Sequence, residues 1–97
     1  MSEKAATKTK PKLAKPNKWK VVIINDDFTP MDFVGFLLMN FFGKSASQSD
    51  QIIMEIHNKG KGIAGVYTLE VAEAKLSSVS LICRNNGHPL KLIIEPE

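Results

Sequence analysis

The spacing of apolar and polar positions divides the chain into six elements. Residues 19–24 (WKVVII) form a short β-branched run and predict a buried strand. Asn25-Asp26-Asp27 closes it with three residues that favour turns. Thr29-Pro30-Met31-Asp32 then starts a helix. Thr29 stands where a cap belongs, Pro30 at the first helical position and Asp32 where a capping box places its acid. That helix runs to about residue 42 and Gly43 stops it. A second capping pattern at 47–50 predicts a helix to about Lys59, ended by Gly60, with Ile52, Ile53 and Ile56 as its inward stripe. Residues 62–67 (GIAGVY) read as a second strand. Thr68 caps a third helix, from 69 to about 84, with Ala72, Leu76, Val79 and Cys83 on one face. Asn85-Asn86-Gly87 ends it, and 88–94 (HPLKLII) predict the third strand. The order βααβαβ, without repeats, implies a compact α/β domain with three helices packed against one three-stranded sheet. Strand directions do not follow from the pattern.

The first helix departs from ordinary amphipathicity. Of the twelve residues 31–42, nine are Met, Phe, Val or Leu. A surface helix in a small domain needs one apolar stripe. The excess predicts either a helix buried nearly all round or one whose spare apolar surface lines a pocket.

Composition limits what such a domain does. Residues 1–18 hold six lysines, one glutamate, two prolines and almost nothing large and apolar, so they predict a disordered, Lys-rich extension. The folding domain is then 19–97, a body small enough to bury only ~60% of its unfolded surface. Six lysines against one glutamate set the extension at +5, and seven basic against nine acidic residues set the rest at −2. The formal net charge of +3 therefore belongs to the extension. A nucleic-acid-binding face would need its basic residues clustered on the folded body, which is acidic, so no nucleic-acid partner is expected. One cysteine excludes an intrachain disulfide and fits a reducing compartment, and the expected location is the cytoplasm. No apolar run approaches the ~20 residues of a membrane span.

Candidate chemistry is sparse. No Ser or Cys nucleophile stands near a plausible base, and Cys83 reads as a small core residue. Two isolated histidines do not make a metal site, and no glycine-rich phosphate loop is present. Neither catalysis, metal nor cofactor is expected. Two features suggest binding instead. Asn25, Asp26 and Asp27 abut the apolar helix, and on the second helix Ile53 and His57, four apart, share a face. Turn and capping duty also accounts for the first group, and a lone exposed histidine for the second.

The segments VVIINDDFTPMDFV, IHNKGKGIAGVYTLEVAEAK and NNGHPLKLIIE closely resemble, in order and spacing, the ClpS adaptor family. The likeness covers essentially 19–95. It implies the family's fold, similar to the C-terminal domain of the ribosomal stalk protein, in a monomer. It also implies the family's role: binding proteins by a bulky hydrophobic N-terminal residue (Leu, Phe, Tyr or Trp) and delivering them to an AAA+ protease. The partner would be the N-terminal domain of the ClpA unfoldase, or a ClpC-type relative, feeding the ClpP peptidase. By that likeness Asn25, Asp26 and His57 hold the substrate's α-amino group. Asp27, Thr29, Met31, Val34, Ile53, Ile56 and Leu90 frame the side-chain pocket, and Glu70 and Lys75 face the unfoldase. Many family members carry Met where this chain has Ile53. A stiff, branched wall there is expected to relax exclusion of β-branched N-terminal residues. An interaction domain of the same fold that ignores the α-amine is the alternative.

Overall fold

A computed structural model describes residues 17–97, so the expected extension at 1–18 lies outside the described residues except for Asn17 and Lys18. The six elements stand in the expected order: β1 Trp19–Ile24, α1 Met31–Phe41, α2 Ala46–Lys59, β2 Lys61–Tyr67, α3 Leu69–Asn85 and β3 Lys91–Pro96. The sheet order is β2-β1-β3, with β1 antiparallel to both neighbours. The central place of β1 agrees with its composition, because Val21, Val22 and Ile23 are buried in succession, which a strand flanked on both edges allows. Val21 and Ile23 join Leu92, Ala64 and the apolar stripes of the helices in one core. Val22 is buried outside that core, between its cross-strand neighbours Ile63 and Ile93. A register shift between Val21 and Val22 leaves Ala64 of β2 without an opposite residue. At the other end of the strand, Glu95 pairs with Lys20 at 3.8 Å and Lys61 at 3.5 Å.

Several boundaries differ from expectation. Thr29 does not cap α1. Pro30 occupies the capping position with no side-chain bond, because the Thr29 hydroxyl is engaged by Asp26. The cap of α2 is Ser45 rather than Ser47. Its hydroxyl accepts from Gln48 N at 3.1 Å while its own N–H donates to Gln48 Oε1 at 2.9 Å, a reciprocal box. Strand β3 starts at Lys91, three residues later than expected. His88 N–H is taken by the Cys83 carbonyl at 2.9 Å at the end of α3, and Pro89 has no N–H to give a ladder. The other signals hold: Thr68 caps α3, and Gly60 ends α2 in the left-handed region at φ 87°.

Helix α1 takes neither of its two expected forms in full. Val34, Leu37 and Leu38 are buried, while Phe36 and Met39 are about half exposed. Phe36 instead extends a row of rings, 6.1 Å from Phe33 and 6.0 Å from Phe41.

The packing of α2 on β2 depends on one glycine. A Cβ on Gly62 would lie 2.8 Å from Ile56 Cγ1 and 3.1 Å from the Ile52 carbonyl oxygen. Gly62→Ala is therefore expected to destabilise the domain by about 1–3 kcal/mol. Urea denaturation reads this as a lower midpoint at unchanged slope. An unchanged midpoint would mean that α2 yields without penalty.

Candidate functional site

The chain leaves β1 at Ile24 and must reverse before α1. Asn25 N–H donates to the Gly60 carbonyl at 2.8 Å, tying the start of this junction to the C-terminal end of α2. The Asp26 carboxylate organises the remainder of the junction. One oxygen accepts from Phe28 N at 3.3 Å and the other from the Thr29 hydroxyl, closing an Asx turn over residues 26–29. Thr29 is buried and Asp26 half-buried, whereas Asn25, Asp27 and Phe28 are exposed. Two accepted bonds leave Asp26 with unused lone pairs, so it is an oriented negative charge with acceptor capacity to spare.

The last turn of α2 carries His57, one turn before the Gly60 to which Asn25 is bonded. Next to it opens a hollow of about 490 Å3 lined by Met31, Asp50, Ile53, Met54 and His57. Its wall forms where the start of α1 meets the middle of α2. Ile53 Cδ1 lies 3.6 Å from where a Cβ on Gly35 would be, so an ordinary side chain at 35 would touch it. Of the expected pocket residues, Met31 and Ile53 line this hollow, together with His57, expected at the α-amine. Val34, Ile56 and Leu90, one turn further along or on the β3 approach, are 3%, 2% and 8% exposed and belong to the core. Asp50 and Met54 were not expected. The spacing of 50, 53, 54 and 57 is the i, i+3, i+4, i+7 pattern of one helical face, and extending the stripe backwards from His57 finds them.

A second groove, of about 430 Å3, lies between the end of α1 and α3, lined by Phe41, Glu70, Val71, Ala74, Lys75, Ser78 and Val79. It brings Glu70 and Lys75 onto one surface. Lys75 also has an internal role. Its ammonium donates to the Phe41 carbonyl at 2.7 Å and sits 5.6 Å from the Tyr67 ring, which satisfies the negative end of α1.

Little here favours reaction chemistry. Burial pushes the Cys83 thiol above its ordinary pKa, which keeps it protonated and poorly nucleophilic. Among the described residues no group of three or more His, Cys, Asp or Glu could hold a metal ion, and no helix is long and apolar enough to cross a membrane.

Comparison with known proteins identifies relatives of this chain. The family model described as "ATP-dependent Clp protease adaptor protein ClpS" matches residues 14–93. The ClpS adapter protein of Hyphomonas neptunium is 46% identical over 92 residues, which cover 95% of this chain and 78% of that one. That of Deinococcus radiodurans is 46% identical over 83 residues, covering 86% and 74%. Among solved structures, Agrobacterium tumefaciens ClpS2 bound to L-phenylalaninamide superposes with a TM-score of 0.79 at 31% identity. The match spans 86% of this chain and all of that one.

The Asx turn makes Thr29 a testable part of the junction. Thr29→Val keeps the shape but removes the hydroxyl donated to a carboxylate. The expected loss is about 1.5–3 kcal/mol of stability by urea denaturation, the range for a bond to a charged group. A loss under about 0.5 kcal/mol, the low end for any hydrogen bond, would show that the turn holds without it.

Proposed function

The chain belongs to the ClpS family of Clp protease adaptors, proteins that are not themselves enzymes, and on that premise we propose that it captures substrates by their N-terminal residue. An adaptor of this protease meets two partners, a Clp AAA+ unfoldase and the protein to be degraded. Each takes its own face of the domain.

The observation that carries the substrate half is the bond from Asn25 N–H to the Gly60 carbonyl, which holds the Asn25–Asp26 junction beside the helix end that presents His57. A protonated α-amine offers three donors and a positive charge, a combination no internal residue of a substrate's backbone provides. Asp26 supplies the charge, Asn25 an amide oxygen and neutral His57 an acceptor nitrogen. The hollow beside His57, with Met31 and Ile53 in its lining, takes the side chain. Val34, Ile56 and Leu90 belong to the core against which Ile53 packs, and Asp27 and Thr29 are assigned to the pocket by family likeness. Burying a Leu or Phe side chain contributes about 1.5–3 kcal/mol, and each charge-assisted hydrogen bond about as much. After association entropy is subtracted, dissociation constants near the micromolar range result. Neither half suffices alone, so selectivity comes from reading amine and bulk together. The Agrobacterium structure supports the reading, since its ligand is a single amino-acid amide with a bulky apolar side chain.

For the unfoldase half, the groove that carries Glu70 and Lys75 is the docking face for the N-terminal domain of a ClpA- or ClpC-type unfoldase. Its lining is apolar at Val71, Ala74 and Phe41, with one acid and one base.

The test is fluorescence anisotropy of the full chain with a labelled decapeptide headed by Phe and with its N-acetylated twin. The free-amine peptide is expected to bind with a dissociation constant of about 1–10 μM, and the acetylated one at least about 100-fold more weakly. Equal binding of the two would replace this reading with an interaction domain that does not sense the amine.

A further inference from the structure

The lining of the hollow contains one carboxylate, Asp50, that capture of an amine and an apolar side chain leaves unused. It is exposed, and among the described residues no basic side chain forms an ion pair with it. Local helix stability does not account for it. Helix α2 begins at Ala46 under a complete Ser45–Gln48 capping box, with no acid in its first turn. Asp50 lies beyond that turn, where the interaction of a carboxylate with the helix dipole fades.

Position along the helix points to a substrate role. Asp50 and His57 lie on one face of α2 with Ile53 and Met54 between them. Seven residues at 1.5 Å each separate the two by about 10 Å along the axis. Taking the α-amine at the His57 end, the apolar middle of the hollow receives methylenes and the Asp50 end faces whatever lies beyond them. An extended lysine or arginine at the first position spans that distance with its aliphatic stem over Met54 and Ile53. So does one at the second position, whose Cα is 3.8 Å further along the chain. We propose that Asp50 makes the site charge-selective, favouring substrates that carry a lysine or arginine within their first two residues. The inference rests on the hollow being the N-terminal-residue site.

The experiment uses the full chain and Asp50→Asn, with labelled decapeptides that differ only in their first two residues: Leu-Ala, Leu-Lys, Leu-Glu and Lys-Ala. Leu-Ala sets the reference affinity of each protein, against which its other peptides are compared. If the second residue is read, Leu-Lys binds the native chain about 1.5- to five-fold tighter than Leu-Ala and Leu-Glu weaker, the range of an exposed ion pair. Asp50→Asn then removes both differences. If the first residue is read, Lys-Ala binds the native chain measurably and loses about the same 1.5- to five-fold in Asp50→Asn. Either preference should fade at high ionic strength. A substitution that changes all peptides alike, or none, would overturn the role of Asp50 while leaving the site standing. Failure of Leu-Ala itself to bind would remove the site and the role together.

Discussion

A single backbone hydrogen bond, from Asn25 N–H to the Gly60 carbonyl at 2.8 Å, holds together two segments that the chain itself separates by both of its first helices. One is the reversal between β1 and α1, the other the left-handed turn between α2 and β2. Each reversal has its own local lock: Asp26 accepting from Phe28 and Thr29 in the first, and Gly60 at φ 87° donating to Ile56 in the second. Because β1 and β2 are adjacent and antiparallel, with Ile24 opposite Lys61, the sheet brings the two reversals to the same end of the domain. The nearness of the two reversals is thus a product of strand pairing.

This arrangement suits a body too small to enclose a cavity. In a body of this size there is little interior to spare, and the core uses it for Val21, Ile23, Leu37 and Leu38. One hollow lies on the seam where the start of α1 meets α2, and a second on the seam where the end of α1 meets α3. Helix α1 borders both, with Met31 at one end and Phe41 at the other. Its unusual apolar content fills a core stripe and also borders both hollows. The half-exposed Phe36 and Met39 lie outside both hollows, and the ring row from Phe33 through Phe36 to Phe41 gives Phe36 partial cover.

Much of this was legible in the residues. All six elements, their order and the single-sided packing emerge from period, caps and glycine stops. What escaped was competition between equally good local signals. Ser45 and Ser47 each begin a capping pattern, and only the reciprocal bond with Gln48 selects Ser45. Thr29 reads as a cap until Asp26 claims its hydroxyl, an interaction set by the turn and invisible to helix statistics. Pro89 was the available signal against starting β3 at His88, and the pull of an apolar run outweighed it. The site was legible only as a coincidence of a polar junction, a greasy helix and a histidine. Asp50 and Met54 were missed because the stripe was read towards the core from Ile53 and not along the outer face.

The central claim is that amine and side chain are read together at the seam between the Asn25–Asp26 junction and the His57 end of α2. Its most direct test is an amide chemical-shift titration of the 15N-labelled chain with L-phenylalaninamide and, separately, with N-acetyl-L-phenylalaninamide. The account predicts that the free amine moves the resonances of Asn25, Asp26, Met31, Ile53 and His57 and that the acetylated compound leaves them in place. Equal shifts from both compounds, or shifts centred on Glu70, Val71 and Lys75, would contradict it.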